Sequence, residues 1–111
     1  MAYDSEIAER IRDALAHEPD VVERKMFGGL AFLIRGNMTV VASSKGGLMI
    51  RADPTTTAHL VQTTSAEFAE MRGRQMRGWL HIDGETLQSE TELDPWINRA
   101  LDYSSTLPQK D

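Results

Sequence analysis

Two apolar runs joined by a short turn constrain the fold of this chain more than any other feature. Residues 30–34 and 38–42 are almost entirely apolar, and the Gly36-Asn37 pair lies between them. Gly and Asn both tolerate a positive φ, which the tight primed turns of β-hairpins require. We therefore predict a β-hairpin over this stretch, with Gly36 and Asn37 as its two-residue turn.

The predicted register gives this hairpin two apolar faces. It places Leu33 opposite Val40 on one face and Phe32 opposite Val41 on the other. An antiparallel sheet commonly turns one polar face to water, which this hairpin cannot do. We expect either that helices cover both faces or that a second copy of the protein covers one of them.

Three helices are predicted around the hairpin. Apolar residues at helical spacing predict the first over residues 4–17. Asp53 followed by Pro54 predicts the start of a second, short helix, because Asp is a good N-cap and Pro suits the first helical position. The third is expected to begin between residues 91 and 94, since Pro95 is best tolerated in a first turn.

Short strand patterns complete the predicted sheet. Residues 48–51 and 75–83 predict two strands, and an extended piece near 68–71 is expected to pair with the second of them. The prediction is an α+β fold, an antiparallel sheet of about four to five strands packed with three helices, in the order α-β-β-β-α-β(β)-α. A single domain, residues 1–111, accounts for the chain, and we expect its tail, residues 105–111, to fray.

The composition argues against several classes of function. The 111 residues carry a formal charge of −5, which disfavours a surface that grips nucleic acid all over. Cys is absent, which excludes disulfides, thiolate metal sites and a cysteine nucleophile. The three His residues lack metal-ligand spacing, and the acidic residues suit helix caps and solvated faces. We therefore assign no catalytic, cofactor-binding or metal-binding residue and expect a non-enzymatic protein.

The N-terminus carries acidic residues early and has no apolar signal segment. No stretch is long and apolar enough to span a bilayer. We expect a cytoplasmic protein.

The glycine pair Gly28-Gly29 raises the question of an anion site. Phosphate loops place their glycines between a strand and the N-terminus of a helix, whereas this pair precedes a strand. We expect these glycines to permit close packing of backbones. The alternative is a small-ligand pocket beneath them that involves His81 or Asp83.

A basic cluster is the clearest candidate for a functional patch. Its members are Arg72, Arg74 and Arg77, with Trp79 beyond them and Arg24 and Lys25 as an extension in space. Arginines interleaved with an aromatic residue suit nucleic acid or an acidic protein. The plainer interpretation is a solvated arginine-rich loop beside a buried Trp.

Several stretches together resemble a known family. They are "ERKMFGGLAFLIRGNM" from Glu23, "LMIRAD" from Leu48, "MRGWLHID" from Met76 and the closing "LDPWINRAL" from Leu93. In order and spacing the chain resembles the N-terminal domain of the TfoX/Sxy proteins. The resemblance implies an α+β fold. Longer members carry a second domain and regulate natural competence together with the transcription machinery, and this chain looks like a single-domain form.

The favoured hypothesis is a regulatory or protein-interaction module that forms a homodimer. The candidate interface and close-packing residues are Phe27, Gly28, Gly29, Phe32 and Met38. A protein partner such as the transcription machinery follows from the resemblance. The alternatives are a nucleic-acid-binding accessory protein that uses the basic cluster, and a small-ligand-binding protein.

Overall fold

The computed structural model describes residues 4–26, 28–71 and 73–108. Within these residues the chain forms three α-helices and six β-strands. They are, in order, α1 (Ser5–Ala14), β1 (Val21–Met26), β2 (Gly29–Ile34), β3 (Asn37–Ala42), β4 (Leu48–Arg51), α2 (Pro54–Thr63), β5 (Glu67–Met71), β6 (Arg74–Ile82) and α3 (Glu90–Ser104). None of the described helices is long and apolar enough to cross a membrane.

The strands form one antiparallel sheet in the order β1-β2-β3-β4-β6-β5. The predicted α+β class and the predicted order of elements are confirmed. The sheet exceeds the predicted four to five strands because β1 was not predicted. Its central residues, 22–25, include three charged side chains and are exposed, so the strand carries no apolar alternation.

The helices pack on one face of the sheet. Alternate strand residues, such as Phe32, Val40 and Ile50, join the apolar faces of the helices in a single buried core. From α1 this core takes Ile7 and Ile11; the members from the other helices are Leu60, Leu93, Ile97 and Ala100. The remaining strand residues point to the opposite face, which we call the open face.

The hairpin turn lies one residue earlier than predicted. Arg35 and Gly36 have φ values of 51° and 83°, and Asn37 is the first residue of β3. The predicted Gly36-Asn37 turn is therefore wrong. Asn37 is buried, and its side-chain amide donates to the carbonyl oxygen of Pro108 at 2.9 Å. This long-range bond favours a position of Asn37 within the strand, whereas its local sequence preference favours the turn.

The register of the hairpin changes accordingly. Phe32 pairs with Val40 and Leu33 with Met38, so Thr39 is an extra residue in β3. The predicted pairs of Leu33 with Val40 and of Phe32 with Val41 are wrong. The Thr39 hydroxyl is hydrogen-bonded to the Ser104 hydroxyl of α3 at 3.1 Å and to the Asn37 carbonyl at 3.0 Å. The irregularity thus directs a polar group of β3 toward α3.

Two helix boundaries also differ from the prediction. The first helix ends at Ala14, and α3 begins at Glu90, so that Pro95 lies in its second turn. The earlier start is stabilised at its cap, because the Ser89 amide donates to the Glu92 carboxylate at 3.2 Å. The tail is described as far as Pro108, which the Asn37 contact ties to β3; the remaining tail residues, 109–111, lie outside the described residues.

Candidate functional site

The open face is defined by the strand residues that alternate with the core. The registers place on it Val22, Arg24 and Met26 from β1, Gly29, Ala31 and Leu33 from β2, Met38 and Val41 from β3, Met49 from β4, and Trp79 and His81 from β6. Ala31 and Val41 are buried by their neighbours on this face. Val22 is 51% exposed, and the methionines and Trp79 are half-buried. The described helices bury their apolar side chains on the other side of the sheet.

A cavity of about 190 Å³ opens into this face. Four methionines line it together with Val41, Trp79, Gly29, Ser43 and Ser44; the methionines are Met26, Met38, Met49 and Met76. The described core cluster, in contrast, contains no Met. We call this space the methionine cavity.

An irregularity in β6 brings Met76 and Trp79 to the same cavity. Residues three apart in a regular strand point to opposite faces. Here Phe68 pairs with Leu80 but Ala69 pairs with Met76, so the register shifts between adjacent residues of β5. Met76 therefore shares the face of Ala69, and Trp79 reaches the same cavity from the regular part of β6.

The glycine pair has a packing role in this site. Gly28 has a φ of +76°, and a Cβ on Gly29 would lie 2.4 Å from the carbonyl oxygen of Ala42. A Cβ on Gly28 would lie 3.2 Å from the Cβ of Ser44. A side chain at Gly29 would thus collide with the backbone of β3. Without one, Gly29 forms part of the wall of the methionine cavity.

The basic cluster does not form one patch. Arg24 and Lys25 belong to β1, at one edge of the sheet, whereas Arg74 and Arg77 belong to β6, with three strands between. Four strand spacings separate the two groups by about 19 Å if the sheet is taken as flat. Arg24 and Lys25 also point to opposite faces, because adjacent residues alternate. Arg72, which the prediction included, lies outside the described residues.

The predicted interface residues are distributed between the two faces. Phe32 is fully buried in the core beneath the helices, so its side chain is not accessible to a partner. Met38 is half-buried and lines the methionine cavity. Phe27 lies outside the described residues. The sequence interpretation did not single out Met26, Met49 or Met76 as a set, although Met49 lies between the core residues Leu48 and Ile50.

Polar groups near the cavity have structural partners. The ring nitrogen Nε2 of His81 lies 3.0 Å from the carbonyl oxygen of Gly46. Asp83 accepts from the amide of Glu85 at 3.0 Å and caps a short 3₁₀-helix, Gly84–Thr86. Neither His81 nor Asp83 lines the methionine cavity, so the predicted pocket involving them has no counterpart there. In the part of the chain that the structure describes, no group of His, Asp and Glu is arranged to hold a metal ion.

Two carboxyl groups have pKa values that the structure lowers, and each has a local cause. A hydrogen bond from the Arg12 guanidinium lowers the pKa of Glu23, with an N–O distance of 2.6 Å. The backbone amide of Thr55 and then its hydroxyl lower the pKa of Asp53 at the start of α2. Both groups lie apart from the cavity lining and act in a salt bridge and a helix cap.

A second, polar groove of about 410 Å³ lies between α2 and α3. Charges of both signs line it, among them Asp53, Arg99 and Asp102, together with Tyr103. The Arg51 guanidinium lies 6.0 Å from the centre of the Tyr103 ring. The mixed charge gives this groove no preference for an anion or a cation.

Residues 13–104 match the family model described as the TfoX N-terminal domain. The match extends from α1 to the end of α3 and therefore includes every strand of the open face. No curated protein matches the chain significantly.

Proposed function

Because this chain belongs to the TfoX N-terminal domain family, we propose that it is a non-enzymatic regulatory module that binds another protein through its open face. The observation that carries the proposal is the apolar surface left by packing all three described helices on the other side of the sheet. Contiguous exposed apolar surface marks interaction sites on soluble proteins.

The lining of the methionine cavity supports binding rather than catalysis. Thioether, indole and aliphatic side chains dominate it, and none of these transfers a proton near neutral pH. The hydroxyl of Ser43 accepts a hydrogen bond from the Lys45 amide at 3.1 Å. The cavity thus offers shape and polarizable contact surface, which are the properties of a docking site.

The proposed role is regulatory, with the transcription machinery as the class of partner that the family resemblance implies. A second copy of the chain is a further partner for the same face. In a two-fold dimer the same patch would serve both copies, and Met38 of the cavity lining would contribute from each. Because Phe32 is buried in the core, its side chain would not take part in either interface.

Position-specific photo-crosslinking in the cells that produce the protein tests this proposal. A photoreactive amino acid replaces Val22 or Met49 on the open face, and in matched controls replaces Glu9 or Asn98, exposed on α1 and α3. We expect protein adducts from the open-face positions and few from the helix positions. Adducts that form mainly from α1 and α3, or from no position, would overturn the proposal; adducts between two copies of the chain identify a homodimer.

Nucleic-acid binding gains no support from the geometry. A basic surface that follows a phosphate backbone needs its Lys and Arg side chains in one connected patch. The separation of Arg24 and Lys25 from Arg74 and Arg77 removes that arrangement. We therefore do not propose a nucleic-acid interface for this chain.

A further inference from the structure

The size of the methionine cavity matches one aromatic side chain. Its volume is about 190 Å³. An apolar protein cavity of about 150 Å³ is large enough to hold benzene. A phenyl ring attached to a partner chain therefore fits, and the opening toward the open face lets the attached backbone remain outside.

The lining favours an aromatic ring over an aliphatic group. Thioether sulfurs make favourable contacts with the edges of aromatic rings, and the unbranched Met side chain adjusts to the shape of its neighbour. Met26, Met38, Met49 and Met76 all line the cavity, and Trp79 adds an aromatic surface. Aromatic pairs are stabilised beyond the area that they bury.

The charges around the cavity are mainly basic. Arg24 lies on the open face opposite Ala31, and Arg74 precedes Met76 by two residues and so shares its side of β6. Both are exposed. The acidic strand residue that the described registers place on this face is Glu67, opposite His81.

No ion pair among the described residues neutralises these basic side chains. Among the described residues the ion pairs join Arg10 to Glu90 and Arg12 to Glu23, both on the helix side of the sheet. Seven acidic residues lie on α1 and α3, namely Glu6, Glu9, Asp13, Glu90, Glu92, Asp94 and Asp102. A chain of net charge −5 thus keeps basic groups around its apolar face, where they attract an acidic partner.

A second copy of the chain does not match the cavity as well. Among the described residues, Val22 is the one large hydrophobic side chain classed as exposed, and it is aliphatic. Phe32 is buried, and Phe68 and Trp96 pack against the core. No described aromatic side chain is exposed: Trp79 lines the cavity itself, and the half-buried Tyr103 lies beside Arg51 in the polar groove.

We propose that the open face binds an acidic segment of a partner protein, and that the segment places one aromatic side chain in the methionine cavity. This inference rests on the proposed function and names the chemistry of its partner. The aromatic ring supplies the buried anchor of the interface, while the acidic residues on either side of it pair with Arg24 and Arg74.

Selection from a random peptide library displayed on phage tests the proposal on the immobilised full chain. We expect the enriched peptides to share one aromatic residue flanked by Asp or Glu. The peptide bound most tightly is then synthesised, along with one analogue that has Ala for the aromatic residue and another that has Lys for the acidic residues. Losing a buried aromatic side chain is expected to weaken binding by about tenfold or more.

The site of binding is read from the methyl resonances of carbon-13-labelled methionine. We expect the peptide to shift the signals of the four cavity methionines. The variant Met49→Glu, and independently the double variant Arg24→Glu/Arg74→Glu, should weaken binding, whereas Arg99→Glu, a charge reversal on α3 away from the open face, should not. The double variant changes only exposed residues, so it keeps the test valid if Met49→Glu fails to fold.

Four outcomes would overturn the inference. They are enriched peptides without an aromatic or acidic residue, no enriched peptide, equal affinity of the Ala analogue, and methionine signals that stay unchanged. Binding of free phenylalanine amide as tightly as the peptide would identify a small-ligand site instead. Methionine shifts that depend on protein concentration alone would identify a second copy as the occupant and leave the proposed function standing, whereas absent cross-links from Val22 and Met49 would remove that function.

Discussion

The two faces of the sheet are built from the same strands but differ in their side chains and in how these are packed. In β4, Ile50 is fully buried beneath the helices, and its neighbour Met49 is half-buried on the open face. The described core is filled with Ile, Leu, Val, Phe and Ala, and the methionines collect on the other side. Branched and aromatic side chains give a uniquely packed interior, whereas Met adapts to changing neighbours. The difference indicates that one face determines the fold and the other is available for contacts.

We expect the two faces to differ most in how far truncation of a side chain lowers the free energy of unfolding. Phe32→Ala should lower the free energy of unfolding by about 3–5 kcal/mol, because it leaves a cavity in the core. Its neighbour Leu33 is half-buried on the open face, and Leu33→Ala should cost about 1–2 kcal/mol. Urea unfolding measures both values. Equal losses would show that the open face is packed as a second core.

A polar contact between β3 and α3 provides the next test. Thr39→Val removes the hydroxyl that is bonded to Ser104, and the buried Ser104 hydroxyl then loses a partner. We expect a loss of about 1–3 kcal/mol in unfolding free energy. The double variant Thr39→Val/Ser104→Ala should lose less than the sum of the two single variants, because no unpaired hydroxyl remains. Strict additivity in the urea-derived values would contradict the coupling.

The glycine that lines the methionine cavity gives a third test. Gly29→Ala should cost about 1–3 kcal/mol, because its Cβ meets the Ala42 carbonyl oxygen and the strands must move apart. Gly78 is the matched control, since a Cβ there would make an ordinary contact of 3.7 Å with Pro54. Gly78→Ala should leave the midpoint of thermal unfolding nearly unchanged. Similar midpoints for the two variants would exclude close packing at Gly29.

The smallest expected effect concerns the salt bridge on the helix-covered side. A hydrogen bond from Arg12 lowers the pKa of Glu23 below the ordinary 4.5, so the folded state favours the ionised carboxyl. The salt bridge stabilises the fold fully above the pKa that Glu23 has in the unfolded chain. This stabilisation is lost as the pH falls through the lower pKa that Glu23 has in the folded state. Because both side chains are partly exposed, Glu23→Gln should cost only about 0.2–1 kcal/mol near pH 7.

Urea unfolding of wild type and Glu23→Gln across this pH range measures the effect. The difference should vanish in acid below the folded pKa, and Glu9→Gln, an exposed change on α1, is the control. A difference that grows as the pH falls would contradict the assigned sign.

Local patterns predicted the elements that local chemistry determines. The strand over 48–51 and the cap at Asp53 were predicted correctly, because turn residues and carboxylate caps act over a few residues. These features need no knowledge of the rest of the chain.

Features set by distant contacts could not be predicted in this way. The hairpin turn moved because Asn37 bonds to Pro108, far along the chain. The methionine cavity depends on the register shift of β5 against β6, which brings Met76 beside Trp79. In a regular strand, residues three apart point to opposite faces, so Met76 and Trp79 would not line the same cavity.

The two outer strands of the sheet have a consequence for behaviour at high concentration. Glu23, Arg24 and Lys25 occupy one edge, and Glu67 and Glu70 occupy the other, all of them exposed. A strand from a neighbouring molecule that paired with either edge would have to accommodate these charges, which opposes edge-to-edge growth of the sheet. The chain can therefore keep an apolar face in contact with water without offering a template for fibres.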